Sequence, residues 1–66
     1  MNFSEALIQL ELGNDITREL WKDQIDYMYL DCGNRIFLRL TDGLYEECKF
    51  FTVEAIFAKD YSVVSQ

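Results

Sequence analysis

Residues 27–40 read YMYLDCGNRIFLRL, and their apolar side chains alternate on both sides of a short turn. Alternation with a period of two predicts two half-buried strands that pair as a hairpin. A two-residue turn would set core side chains opposite outward ones, because a slip of one residue exchanges the two faces. A three-residue loop, 32–34, keeps the faces separate and sets Leu30 opposite Ile36. We therefore expect this longer loop, with Asn34 in the left-handed conformation that Asn tolerates.

The residues before the hairpin predict one amphipathic helix. Ser4 is a natural N-cap, and Gly13 is placed to end the helix. Apolar side chains recur at i, i+3, i+4 and i+7, which is one face of a helix: Phe3, Ala6, Leu7 and Leu10. The segment 15–21 is short and mixed, so it is either extended or a single turn. Residues 22–26 predict a polar loop.

The residues after the hairpin predict a third strand, a short helix and a last strand. Residues 41–43 suit a second three-residue turn, and 44–50 continue as a strand. Glu46 would face the core there, so either the strand is bulged or Glu46 lies at the sheet edge. Thr52 is a natural N-cap for a helix that runs to about residue 59. Residues 61–64 favour a strand, and the apolar face expected for the helix comprises Val53, Ile56 and Phe57.

The order αβββαβ predicts a single α+β domain over residues 1–66, a small antiparallel sheet with two short helices. A chain of 66 residues buries a marginal core, and such domains usually add a disulfide, a metal or a partner subunit. The chain has no His and only two Cys, which is too few of the usual ligands for a structural metal site. Cys32 and Cys48 lie in strand-like runs, where we expect reduced thiols that face the core. Self-association is the expected source of additional burial.

The chain is acidic, with six basic residues, twelve acidic residues and a net charge of −6. This charge argues against general affinity for nucleic acid or anionic lipid. No run approaches the roughly 18 apolar residues that cross a membrane, and no signal peptide is visible, so we expect a cytoplasmic protein. The carboxylates scatter over expected turns and solvent faces, without His or a Gly-rich phosphate loop. We therefore expect no catalytic residues, no cofactor and no enzymatic activity.

Two groups of side chains are candidates for binding. Trp21 offers a flat ring, and Arg18, three positions earlier, offers a planar fork for an anion. Trp21 is equally a candidate for the core, and Arg18 for an ion pair with Asp15 or Glu19. The second group lies on the outward face of the expected sheet, where it either packs against a helix or a subunit or contacts a ligand. Its members are Tyr27, Tyr29, Arg35, Phe37, Arg39, Tyr45 and Lys49.

Several short motifs together resemble one family of phage proteins. The first of them is the run MNFSEAL at residues 1–7. The others are Leu10, Gly13, Ile16, Arg18, Trp21, the run 28–30, Thr52, Glu54, Ala58, Asp60, Tyr61 and Val63. As a set these residues are similar to the phage Thoeris anti-defence family of the second type, which has Trp at the position of Tyr61.

The resemblance implies a function in immune evasion. Members of the family are small phage proteins that assemble as homo-oligomers, often tetramers, and sequester cyclic nucleotide signals without cleaving them. It implies a cyclic nucleotide bound at a subunit interface in the cytoplasm of the infected bacterial host. The ligand contacts carried over by position are Phe3, Arg18, Trp21, Asp60 and Tyr61. Relatives assigned as inhibitors of CRISPR nucleases give the alternative, an acidic inhibitor that binds a host defence protein.

Overall fold

The computed structural model describes residues 1–21 and 23–64, so Lys22 of the expected loop lies outside the described residues. The elements within these ranges follow one another in a single order. They are α1 (Phe3–Glu11), β1 (Ile16–Arg18), a 3₁₀ turn (Glu19–Trp21), β2 (Ile25–Leu30), β3 (Ile36–Leu40), β4 (Tyr45–Glu47), α2 (Val53–Phe57) and β5 (Tyr61–Val63). The strands form one antiparallel sheet in the order β4-β3-β2-β1-β5. The α+β class expected from the sequence is confirmed.

The hairpin of β2 and β3 has the expected register. Leu30 pairs with Ile36, and the three-residue loop places Asn34 in the left-handed region, with φ of 60°. The second turn is also confirmed, because the Leu40 amide donates to the Leu44 carbonyl across it at 2.8 Å. The strand β2 begins at Ile25, inside the segment expected to be a loop. The alternation of apolar side chains therefore fixed the pairing, while the start of the strand was placed two residues late.

Strand β1 is the element that the sequence left open. Ile16 pairs with Met28 in β2 on one side and with Val63 in β5 on the other. Three residues are too few for a period of two to stand out, so its extended conformation is set by the two neighbouring strands. At the far side of the sheet, Glu46 lies exposed on the edge strand β4. Of the two alternatives, a bulge or an edge position, the edge position is the one that explains why a carboxylate can lie on the core side of the sheet.

The N-cap of helix α1 lies two residues earlier than expected. Asn2 is the N-cap, and the Glu5 amide donates to its Oδ1 at 2.9 Å. The Asn2 amide donates in turn to Oε1 of Glu5, which completes a capping box. The prediction of Ser4 as the N-cap is wrong, because the Asn2–Glu5 spacing satisfies two backbone amides together. Gly13 follows the helix with φ of 91°, as its expected role requires.

Helix α2 is shorter than expected and buries a different face. Thr52 caps it, with the Ala55 amide donating to its Oγ1 at 3.1 Å. The prediction that Val53, Ile56 and Phe57 form its buried face is wrong, since all three are exposed. Ala55 is the buried residue of the helix instead, and its carbonyl accepts a 2.6 Å hydrogen bond from the buried Tyr61 hydroxyl.

The core lies between α1 and the middle of the sheet. It comprises Ala6, Leu10, Ile16, Met28 and Tyr61. Both cysteines are free thiols, as expected, and Cys48 is half-buried. The prediction that Cys32 faces the core is wrong, because β2 ends at Leu30 and Cys32 is exposed in the loop. No helix in the described ranges is long and apolar enough to span a bilayer.

Candidate functional site

The candidate site is built around Arg18, the last residue of β1. It pairs with Tyr61 of β5, and its side chain extends on the side of the sheet that carries the helices. Only 5% of Arg18 is exposed. A buried guanidinium is costly unless carboxylates and hydrogen bonds compensate it, so its partners decide what it can do.

Two carboxylates form ion pairs with the Arg18 guanidinium. Nη1 and Nη2 donate to the two oxygens of Glu54 at 3.2 and 2.7 Å, which is a bidentate pair. Nε donates to Oδ1 of Asp60 at 2.8 Å. Arg18 therefore ties three elements together: its own strand, the first turn of α2 and the segment before β5.

The charges within this group shift each other's titration. Hydrogen bonding to Glu54 raises the pKa of Arg18 above its already high value, although burial opposes this. The same contact holds the pKa of Glu54 below its usual range. Burial disfavours the charged form of Asp60, but hydrogen bonds from Arg18 and the Leu20 amide outweigh it and lower the pKa. One guanidinium thus faces two carboxylates at neutral pH, and the group has no excess positive charge.

Asp60 also shapes the 3₁₀ turn that carries Trp21. Its Oδ2 accepts from the Leu20 amide at 3.3 Å, and its carbonyl accepts from the Glu19 amide at 3.4 Å. The turn brings the Trp21 ring to 5.8 Å from the guanidinium carbon, within the range of a cation–π contact. Arg18 ends β1 and Trp21 ends the 3₁₀ turn, so the segment is extended first and then turned, and the two side chains share one side of the molecule.

Aromatic rings enclose the other side of Arg18. The Tyr61 ring centroid lies 5.3 Å from the guanidinium carbon, and Tyr61 is 2% exposed. Phe3 packs against Tyr61 at 5.9 Å and edge-on against Phe51 at 4.9 Å. Burial raises the pKa of the Tyr61 hydroxyl, which donates to the Ala55 carbonyl. Tyr61 thus packs against the arginine, and Phe3 packs against Tyr61.

Trp21 differs from these because it is half-buried and borders an open groove. Its ring meets Tyr61 edge-on at 6.3 Å, while the groove beside it has a volume of about 310 Å³. Most of the described residues that line the groove are apolar, among them Trp21, Ile25, Phe50 and Phe51, and two of them, Arg18 and Glu54, are charged. We call this space the Trp21 groove.

The five residues expected to contact a ligand come together, although they span most of the chain. Phe3, Arg18, Trp21, Asp60 and Tyr61 form one connected group of rings and charges. Glu54 is the partner that sequence reasoning missed, and Asp15 and Glu19 are not the carboxylates that pair with Arg18 in the ion pairs of the structure. The sequence did indicate where Glu54 lies, because the Thr52 cap places it in the first turn of α2, two residues after the cap.

Comparison with known protein families and curated proteins does not identify a family for the chain. No protein-family model matches the chain, and no curated protein matches it. The resemblance to the anti-defence family therefore stays a prediction.

Proposed function

We propose that this protein captures a cyclic nucleotide signal without cleaving it, as a phage immune-evasion protein in the cytoplasm of the infected bacterial host. The observation that carries the proposal is the half-buried Trp21 ring on the wall of an open groove that Arg18 also lines. The link to phages and immune signals comes from the resemblance alone. The groove supplies a place for the ligand.

The dimensions and walls of the Trp21 groove suit a flat ring. Its volume of about 310 Å³ is at the lower end of the ~300–1,000 Å³ found for small-molecule sites. Trp21, Phe50 and Phe51 give it aromatic walls. Stacking of a base on such a ring contributes roughly 1–3 kcal/mol.

The charges assign Arg18 a different role from the one that the resemblance implies. Because Glu54 and Asp60 neutralise it, Arg18 positions the Trp21 turn and is not the main phosphate contact. Lys49 is exposed and stands in sequence between Cys48 and Phe50, which both line the groove. We assign the phosphate contact to Lys49, which does not itself line the groove but lies between two residues that do, on a long flexible side chain.

Capture of this kind requires no turnover. The protein would lower the free signal in proportion to its own concentration, so affinity and copy number determine the effect. The proposal includes no cofactor and no catalytic residue.

Equilibrium dialysis against a panel of cyclic mono- and dinucleotides tests the proposal. Wild type should retain one member of the panel, and Trp21→Leu should weaken that binding by about tenfold or more. Lys49→Gln should weaken it less, with a deficit that shrinks at high salt. Lys59→Gln is the matched control, because Lys59 is an exposed lysine that follows α2, and neither of its sequence neighbours lines the groove. Retention of no nucleotide, or equal binding by Trp21→Leu, would contradict the proposal.

The second candidate is an acidic inhibitor that binds a host defence protein. It is favoured by the outer surface of the helices, where large apolar side chains stand exposed among carboxylates. These side chains are Ile8 and Leu12 of α1 and Val53, Ile56 and Phe57 of α2. Glu5, Glu11 and Glu54 lie on the same two helices, and the Glu54 side chain is 62% exposed. Such a surface complements a basic groove with apolar walls.

Inhibition assays separate the two candidates. In the second, a purified CRISPR nuclease would lose activity on addition of the protein, and Phe57→Ser would restore that activity. Trp21→Leu would leave inhibition unchanged. In the first, neither variant affects a nuclease, and only Trp21→Leu affects nucleotide retention.

A further inference from the structure

Glu54 presents an exposed carboxylate to the Trp21 groove. Its side chain is 62% exposed, although it forms a bidentate pair with Arg18, whose side chain is 4% exposed. Among the described residues that line the groove, Arg18 and Glu54 are the charged ones. The carboxylate therefore lies at the boundary between the protein interior and the space that a ligand would enter.

The contact with Arg18 fixes the orientation of this carboxylate. Two N–H groups of one guanidinium donate to its two oxygens at 3.2 and 2.7 Å, and Asp60 holds the same guanidinium at 2.8 Å. An exposed glutamate loses side-chain entropy when a ligand orders it, and this loss weakens binding. Here the fold orders the side chain before a ligand arrives, so Glu54 is a preorganised acceptor.

The two oxygens of Glu54 can accept further hydrogen bonds. An ionised carboxylate offers about four lone-pair positions, and the fork of Arg18 takes two of them. The hydrogen bonds from Arg18 also lower the pKa of Glu54, so the carboxylate is ionised at neutral pH and cannot donate. The positions that remain suit N–H donors of a ligand and repel a phosphate.

Glu54 and the Trp21 ring are neighbours on the groove wall, because both contact Arg18. The Trp21 ring centroid lies 5.8 Å from the guanidinium carbon, and the Glu54 oxygens bind the nitrogens of the same guanidinium. A flat ring that stacks on Trp21 therefore brings its edge toward Glu54. The donors and acceptors on that edge decide whether the contact is favourable.

The bases differ in what their edges donate. Guanine presents two adjacent donors, N1–H and the 2-amino group, which together match the two oxygens of one carboxylate. Hypoxanthine keeps N1–H but lacks the amino group. Adenine and cytosine place one amino group beside a ring-nitrogen acceptor, and uracil places one N–H between two carbonyl oxygens. An acceptor that faces a carboxylate is repelled, so guanine is the base that Glu54 complements.

We propose that Glu54 selects guanine in the Trp21 groove, by accepting from N1–H and the 2-amino group of a base stacked on Trp21. The inference rests on the proposed capture function and specifies the class of nucleotide. The base enters the groove, and the phosphate stays away from the carboxylates of Glu54 and Asp60.

A second aromatic cluster lies on the opposite face of the sheet. The Tyr29 ring lies 6.0 Å from each of the rings of Tyr27, Phe37 and Tyr45. The Arg39 guanidinium contacts the cluster, with its carbon 5.9 Å from the Tyr27 ring centroid. A guanidinium donates and does not accept, so it recognises O6 and N7, which guanine and hypoxanthine share. The two clusters therefore predict different selectivities.

Equilibrium dialysis of the full chain against 3′,5′-cyclic GMP, IMP, AMP and UMP tests the inference. Wild type should bind cyclic GMP roughly tenfold or more tightly than each of the other three. Glu54→Gln should bring this ratio close to one, because the amide nitrogen cannot accept. Partial unfolding of the variant would weaken all four alike and leave the ratio unchanged, so the ratio reports on the contact itself.

Two variants serve as controls. Glu11→Gln removes the same charge at an exposed position of α1, outside the described residues that line the Trp21 groove, and should keep the wild-type ratio. Tyr29→Leu, on the second cluster, should keep it as well.

Three results would overturn the inference. The first is equal binding of cyclic GMP and cyclic IMP by wild type, and the second is an unchanged ratio in Glu54→Gln. The third is loss of the preference in Tyr29→Leu, which would place the base on the second cluster. If any nucleotide is still retained by wild type and lost by Trp21→Leu, capture stands and only the base assignment fails. Retention of no nucleotide at all would overturn both proposals.

Discussion

The Arg18 Nε donates to Oδ1 of Asp60 at 2.8 Å, across 42 positions of sequence. The contact joins the end of β1 to the residue before β5, and the second Asp60 oxygen accepts from the Leu20 amide. The position of the Trp21 ring therefore depends on the Arg18–Asp60 ion pair, because Asp60 also binds the turn that carries the ring. A change in Arg18 acts on the groove through the fold and not only through a ligand.

Replacement of Arg18 by Met should destabilise the protein strongly. The variant leaves Asp60 and Glu54 without their common cation and loses the hydrogen bonds from the guanidinium, and a hydrogen bond to a charged group contributes about 1.5–3 kcal/mol. We expect a loss at the low end of that range, because the Glu54 side chain is 62% exposed and water screens it. Urea unfolding measures the effect. Arg18→Lys should lose less, since it keeps the charge but not the bidentate fork, and wild-type stability of Arg18→Met would show that the pair contributes little.

The same ion pairs predict loss of stability in acid. The folded-state pKa values of Glu54 and Asp60 lie below their ordinary values near 4. Their contribution is therefore complete above the unfolded pKa values and disappears as the pH falls through the folded ones. The free energy of unfolding should decline from about pH 4 downward, as urea titrations over pH 7 to pH 3 would show. Glu54→Gln should flatten this decline, whereas Glu11→Gln on the surface of α1 should leave it in place.

The capping box of α1 predicts a contrast between two neighbouring polar residues. Asn2→Ala removes the side chain that accepts from the Glu5 amide and should cost about 1 kcal/mol. Ser4→Ala, at an exposed position inside the helix, should cost little or favour the helix slightly. Thermal unfolding of the two variants provides the comparison. A larger loss for Ser4→Ala would mean that the helix starts at the residue first expected from the sequence.

The two thiols should react at different rates. Cys32 is exposed, while Cys48 is half-buried and its Sγ donates to the Phe50 carbonyl. Burial raises the pKa of the Cys48 thiol, which lowers the fraction of reactive thiolate. Titration of the native protein with a thiol reagent should therefore show one fast and one slow group, and the denatured protein should show both at once. Two equally fast groups in the native state would contradict the burial of Cys48.

Sequence patterns predicted the hairpin well because its register depends on alternation over many residues. Leu30 opposite Ile36 and the left-handed Asn34 both follow from that pattern. Strand β1 could not be predicted in the same way, because its three residues adopt an extended conformation between β2 and β5. Local signals were too short there, and contacts that are distant in sequence determined the outcome.

The candidate site shows the same division. The grouping of Phe3, Arg18, Trp21, Asp60 and Tyr61 was expected only from the resemblance, and the structure brings them together. Their roles could not be predicted, since those depend on Glu54, which reaches Arg18 from α2. Composition cannot indicate which of twelve acidic residues meets a buried cation.

A capture-and-release measurement tests the central claim most directly. The purified protein is incubated with the cyclic nucleotide retained in dialysis, freed of unbound ligand by gel filtration, and heated to unfold it. We predict that the nucleotide elutes with the protein and is recovered intact and in stoichiometric amount after heating, and that Trp21→Leu carries almost none. Recovery of a cleaved product, or equal loading of wild type and Trp21→Leu, would contradict capture without cleavage at the Trp21 groove.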